Sequence, residues 1–169
     1  MTVLYLDASA VVKCYVLEPG STWMRAMLNA SDELTGAFLN MAIIADVSVA
    51  EVAAAFAVLH RHGILRRRTL DAVFDHFMDD VLRRYYLAGT TRDHFFDAAR
   101  LTRQHPLKAY DAVQLAVALH QQRALRTVRQ PLTFVSGDQK QLTAASAEGL
   151  SVENPFDHVS PQDVPGTKT

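Results

Sequence analysis

Two short runs near opposite ends of the chain, Thr2–Leu6 (Thr-Val-Leu-Tyr-Leu) and Leu132–Ser136 (Leu-Thr-Phe-Val-Ser), limit what this sequence can fold into. Both are uncharged and rich in β-formers, and neither alternates strictly between apolar and polar as a half-exposed strand would. They read as strands buried on both faces. A strand of that kind must be covered by helices above and below, and the segments between the two runs supply them.

Residues 8–16 look helical, Pro19-Gly20-Ser21 punctuates, and Thr22–Asn29 reads as a second helix with Ser21 as its cap. Within Leu34–Val47 a short strand is expected without clear limits. Val49, Val52, Phe56 and Leu59 then recur at helical spacing, and Gly63 supplies the stop. Leu65–Tyr85 is predicted as a long amphipathic helix, Tyr86–Ala88 as a strand, and Thr91–His105 and Tyr110–Gln122 as helices. A helix through Ala147 follows the second buried strand, and Ser151–Glu153 is a weak last strand. This alternation predicts an α/β fold, a three-layer α/β/α sandwich around a central, mostly parallel sheet. The domain is expected over residues 1–155. The polar, Pro/Gly-bearing segment 156–169 is expected to be a flexible tail.

With 169 residues, the chain suffices for one domain with a real core. The net charge of −1 excludes whole-molecule electrostatic capture of nucleic acid, so any such contact needs a local basic patch or metal ions. A single cysteine, Cys14, excludes an internal disulfide framework and a multi-cysteine zinc site. The N-terminus lacks the basic start of a signal peptide, and nothing approaches the roughly 18 apolar residues of a membrane span. A soluble, cytoplasmic protein is the expectation.

Four acids stand out. Asp7 follows the first strand directly, where ligands of parallel sheets bind; the same position suits the N-cap of the next helix. Ser9, two residues on, can bond backbone or hold a metal-bound water. Asp138 repeats the arrangement after the late strand, in Phe134-Val135-Ser136-Gly137-Asp138. Glu51 lies in Ser48-Val49-Ala50-Glu51-Val52-Ala53-Ala54-Ala55, so its neighbours on the helix surface are Ala54 and Ala55. It reads either as an acid turned into a pocket or as the capping-box partner of Ser48. Asp111 opens a helix that is apolar at nearly every following position except Gln114. There it either complements the helix dipole or, beside a core helix, needs a partner or a metal.

Taken together, these acids resemble the pattern of PIN-domain nucleases, and within that family the VapC-like toxins of toxin–antitoxin pairs. The resemblance is carried by Tyr5-Leu6-Asp7-Ala8-Ser9-Ala10, Glu18-Pro19-Gly20, Glu51 with its alanines, His105-Pro106-Leu107, Tyr110-Asp111-Ala112, Phe134–Asp138 and Glu148-Gly149-Leu150, in family order over residues 1 to about 155. Two departures are visible: Gln114 stands where relatives often carry His, and Leu34–Asp46 matches poorly. The resemblance implies a ribonuclease whose Asp7, Glu51, Asp111 and Asp138 gather Mg²⁺ or Mn²⁺. Asp7 and Asp111 would be the principal ligands, Glu51 and Asp138 second-site or water-mediated ones, and Ser9 and Ser136 supporting hydroxyls. Hard divalent cations take oxygen ligands, and a bound ion makes a hydroxide nucleophile from its water. The resemblance also implies a small antitoxin partner and a homodimer.

Other candidates carry less. Arg66, Arg67 and Arg68 are candidate RNA phosphate contacts, with a solvated helix start as the alternative. His60 and His62 do not share a helix face and read as surface residues. A phosphatase of the haloacid-dehalogenase type also begins strand–Asp but needs a second Asp where Ser9 stands. A PIN-like module that binds RNA or protein and cuts nothing is the remaining alternative. The apolar residues of the long helix exceed what one stripe needs, which suggests a dimer contact at Leu70 or Phe74.

Overall fold

The strand β1 (Thr2–Leu6) is buried from Val3 onward and sits at the centre of the sheet, as its two-faced apolar character requires. The computed structural model describes residues 2–160 and 163. Along the chain follow α1 (Ala8–Tyr15), α2 (Ser21–Asn29), β2 (Asn40–Ala45), α3 (Asp46–Arg61), α4 (Arg67–Arg83), β3 (Tyr85–Ala88), α5 (Arg92–Gln104), α6 (Ala109–Arg126), β4 (Leu132–Val135), α7 (Gln139–Ala147) and β5 (Ser151–Glu153). All strands pair in parallel, in the order β3-β2-β1-β4-β5.

The period-2 geometry of the strands divides the core. Val3, Tyr5, Ile43 and Phe134 point to one face, where they meet Ala98 and Leu101 of α5, Ala112–Ala118 of α6 and Leu142 of α7. Leu4, Leu6, Ala42 and Ile44 point to the other and pack on Val11, Trp23, Phe56 and Phe77 of α1 to α4. The predicted three-layer α/β/α arrangement is therefore present. The strand order also reverses between β1 and β4: the chain leaves β1 towards β2 and later returns on the opposite side. In open α/β sheets the crevice at such a switch point is where ligands bind.

Several boundaries differ from the sequence expectation. The unplaced strand is β2, in register with β1 from Thr2–Asn40 to Tyr5–Ile43. The long helix does not span 65–85: Gly63 (φ 74°) and Ile64 lie in the turn after α3, and the helix starts at Arg67. At its other end, buried Tyr85 already belongs to β3. Ser21 lies inside α2 rather than capping it; its Oγ donates to Val16 O and accepts from Glu18 N, both at 2.9 Å. The position before it, Gly20 (φ 85°), carries the left-handed turn, and a Cβ there would stand 2.2 Å from Pro155 O.

That close approach shows how the segment expected as a tail begins. Pro155–Asp157 forms a 3-10 turn against the α1–α2 corner, with Phe156 N donating to Asn154 Oδ1 at 3.0 Å and the Phe156 ring lying under Lys13 Nζ at 3.7 Å. Residues 161, 162 and 164–169 lie outside the described residues. Among the described residues no helix is long and apolar enough to cross a membrane.

Candidate functional site

At the carboxyl edge of β1, Asp7 directly follows the strand and caps α1. Its backbone N donates to Val135 O at 3.1 Å, which ties the β1 edge to the β4 edge. The carboxylate itself is 6% exposed. Its Oδ1 accepts from Ala10 N (2.9 Å) and Ser9 Oγ (2.8 Å), and its Oδ2 accepts from Ser136 Oγ (2.9 Å). Burial pushes its pKa up to about 6, against the three hydrogen bonds that favour the charged form; the nearby Glu51 charge raises it further.

Both supporting serines serve more than one neighbour. Ser9 Oγ also accepts from Gly137 N at 2.8 Å, which stitches α1 to the loop after β4. Ser136 Oγ, fully buried, accepts from Asp138 N at 2.9 Å and faces two acceptors at once, Asp7 Oδ2 and Gln141 Oε1, each at 2.9 Å. A hydroxyl has one proton and can serve only one of them. A proton on Asp7 resolves the conflict: Asp7 then donates to Ser136, and Ser136 donates to Gln141.

Asp138 caps α7, its Oδ1 accepting from Lys140 N (2.7 Å) and Gln141 N (3.3 Å). Asp111 lies in the first turn of α6 and accepts one bond, from Lys108 N to Oδ2 at 3.3 Å. Its pKa is raised, chiefly by burial and further by the Asp138 charge. Glu51 is not a capping-box partner of Ser48, because α3 starts at Asp46 and Ser48 is fully buried within it. Burial raises the Glu51 pKa, with the Asp111 charge adding to it, while a hydrogen bond from Gln114 opposes.

Gln114 stood out in the sequence as a break in an apolar helix and as a departure from the family pattern, and it organises this end of the site. Buried at 2% exposure, it accepts from Tyr5 Oη at 2.8 Å and directs its Nε2 to Ser48 Oγ and Glu51 Oε2, both at 2.7 Å. Gln141 plays a similar part: it accepts from Ser136 and donates from Nε2 to Asp111 O at 3.3 Å. The outlier in an otherwise apolar run was the signal for Gln114. Gln141 gave none, lying in an ordinary polar helix. Arg66 precedes α4 as its N-cap and Arg67 and Arg68 open the helix, where Arg67 pairs with Asp71 at 3.2 Å; among the described residues no hydrogen bond or ion pair joins the three to the four acids.

The four acids form a row, Asp7 to Glu51 to Asp111 to Asp138, coupled electrostatically in sequence. They do not form a closed cage: among the described residues, no three His, Cys, Asp or Glu side chains stand close enough to hold a metal ion unaided. Burial is the leading cause of each raised pKa, and the neighbouring acid adds to it. An all-oxygen donor set that supplies one or two carboxylates at a time still fits Mg²⁺ or Mn²⁺, which keep several waters and are completed by substrate phosphate. It fits neither zinc nor a redox metal, which favour nitrogen and sulfur.

The parallel α/β/α sandwich is a fold shared with solved structures. The chain is similar to PAE2754 from Pyrobaculum aerophilum, at 17% identity over 89% of each chain with a TM-score of 0.57. It is also similar to a toxin–antitoxin complex from Klebsiella pneumoniae, at 14% identity over 90% of this chain and 98% of that one, with a TM-score of 0.53. No protein-family model and no curated protein matches the sequence.

Proposed function

We propose that this chain is a metal-dependent endoribonuclease of the PIN-domain type, acting in the cytoplasm as the toxin of a toxin–antitoxin pair. The observation that carries the reading is Asp7: a buried carboxylate fixed by three donors at the switch point of a parallel sheet, at the head of a row of four acids. The fold it shares with the Klebsiella toxin–antitoxin complex supports the biological setting.

In this reading Asp7 and Asp111 are the principal ligands of Mg²⁺ or Mn²⁺, with Glu51 and Asp138 reaching the ion or a second one through water. A bound ion lowers the pKa of its water and neutralises charge building on the phosphate. The chain's own contribution is placement. Ser9, Ser136 and the Ala10 amide hold Asp7, Gln114 holds Glu51, and Gln141 fixes the α6 backbone at Asp111. Substrate RNA supplies the remaining oxygen ligands through its phosphate. The partner is a small antitoxin that closes the acid row, best with an Arg whose planar fork matches paired carboxylates. A homodimer through α4 is part of the same reading, since Phe74 and Leu82 stand 40% and 80% exposed there.

Cleavage of single-stranded RNA by the purified chain, with Mg²⁺, with Mn²⁺ and with chelator, tests the activity. Metal-dependent cutting that Asp7→Asn abolishes is the expected result. Full activity in Asp7→Asn, or in chelator, would overturn it. The open spacing of the acids favours one second reading, a catalytically inactive PIN-like module that binds RNA or protein. In that case the same assay gives RNA binding without products.

A further inference from the structure

Two hollows of about 580 Å³ each open beside the acid row. One is walled by Val12, Ala55, Leu59 and Phe156 and reaches Ser9, Gly137 and Asp138. The other is walled by Val47, Ala50 and Ala54 with Tyr110, and reaches Glu51. They meet along α3 at Ala55 and Val58. Each therefore combines a largely apolar lining, one acid of the row and one aromatic ring. Both rings are partly exposed, Phe156 at 43% with Lys13 Nζ over one face and Tyr110 at 56%.

The volumes fall within the roughly 300–1,000 Å³ typical of small-ligand sites. A nucleobase matches such a lining: its faces are apolar and stack on aromatic rings, while its edge is polar. The Phe156 hollow offers that edge a partner. Lys13, only 1% exposed, pairs through Nζ with Glu18 Oε2 at 3.0 Å. Among the described residues no partner engages the other Glu18 oxygen, which can accept from a base amino group. The small side chains of α3, Ala54 and Ala55, keep both hollows open close to Glu51. A larger residue at Ala55 would intrude on both hollows, and one at Ala54 on the Tyr110 hollow.

We propose that the two hollows are nucleobase pockets, which hold the bases on either side of the scissile phosphate by stacking them on Phe156 and on Tyr110. This rests on the nuclease reading and adds to it where two unstacked neighbouring bases are held and which side chains hold them. A duplex keeps its bases stacked on one another and cannot fill the pockets.

The test separates binding from cutting. Binding of labelled single-stranded hexanucleotides and of a matched duplex is followed by anisotropy with Ca²⁺ present, and cleavage is measured separately with Mg²⁺. Phe156→Leu and Tyr110→Leu should each weaken single-strand binding about tenfold, the scale of one lost base stack. Phe156→Tyr and Tyr110→Phe, which keep a ring, should restore it, whereas a purely structural role would follow the melting temperature instead. The expected binding pattern with no cleavage removes the nuclease reading and with it the placement about a scissile phosphate, while base stacking on Phe156 and Tyr110 stands. Cleavage that both Leu variants leave unchanged, or duplex bound as well as single strand, overturns the pockets alone. Leu variants that bind RNA normally but lose the antitoxin identify the hollows as a protein-docking surface and also overturn the proposal.

Discussion

Asp7 and Asp111 share one edge of the sheet in opposite circumstances. Asp7 is 6% exposed and accepts three hydrogen bonds, from Ala10 N, Ser9 and Ser136. Asp111 is half-buried and accepts one long bond, from Lys108 N at 3.3 Å. The first is over-determined by strand, helix and loop at once. The second has room to swing. On the nuclease reading, a row with one fixed and one adaptable member would suit an ion that must accept both a protein and a moving phosphate. Precise placement of one carboxylate would supply the geometry, and freedom of the other would admit substrate.

The sharpest way to break this comparison is Asp→Asn at each end. Both variants should lose cleavage by at least about 10²–10³-fold, the scale of removing a charge-stabilising group. Their stabilities should diverge. Asp7 is shifted from 3.8 to about 6 by burial, so its ionised form opposes folding at pH 7 by on the order of 3 kcal/mol. Asp7→Asn should therefore raise metal-free stability in denaturant melts. Asn keeps an oxygen for Ser9 and Ala10, and its amide can donate to Ser136, freeing that hydroxyl for Gln141. Asp111→Asn relieves less burial and should move the midpoint little. A destabilised Asp7→Asn protein would mean that the three donors, rather than burial, govern that position.

Titration sharpens the same contrast. A carboxyl whose folded pKa lies above its unfolded value stabilises the fold when protonated, and the benefit is lost as pH rises from about 3.8 to about 6. Metal competes with that proton. The rise in melting temperature on adding Mn²⁺ should be larger at pH 7.5 than at pH 5, and Asp7→Asn should flatten the difference. Equal metal shifts at both pH values would place the ion away from Asp7.

The fixed end was legible in the sequence because its causes are local. An acid directly after a two-faced apolar strand can be placed from the strand alone, and Ser9 and Ser136 follow by spacing. The adaptable end was not. The sequence left Glu51 open between an acid turned into a pocket and a capping partner of Ser48, and only the α3 start at Asp46 shows that both meet Gln114 from α6, 66 and 63 residues away in sequence. Contacts that cross the sheet edge carry no local pattern. The limits of β2 failed similarly, since its short apolar core in Asn40–Ala45 follows an exposed stretch that includes Leu34, Phe38 and Leu39. Hydrophobicity there misleads about burial.

Gln114 gives a prediction of intermediate size. Gln114→Leu leaves Tyr5 Oη and Ser48 Oγ buried without that partner, which costs about 1–3 kcal/mol. It also frees Glu51, and cleavage should fall about 10–100-fold, as for other groups that orient a ligand. Gln114→Glu would place a second carboxylate 2.7 Å from Glu51 and should be worse in activity unless metal is abundant. Wild-type cleavage by Gln114→Leu would remove Glu51 from the working site.

The smallest effect belongs to Ser9→Ala, and it probes the fixed end most finely. The change removes a donor to Asp7 Oδ1 and the acceptor for Gly137 N. Gly137 is half-buried, so water can replace that acceptor, and stability should drop by only about 1 kcal/mol. The larger consequence is in protonation. Ser9 donates to the charged form of Asp7 and holds its pKa down against burial, so losing it lets the pKa climb above about 6. The acid limb of the pH–rate profile should then move to higher pH, while the rate at pH 8 stays within about tenfold of wild type. An acid limb that moves down, or does not move, would show that Asp7 is not the group whose ionisation the reaction needs.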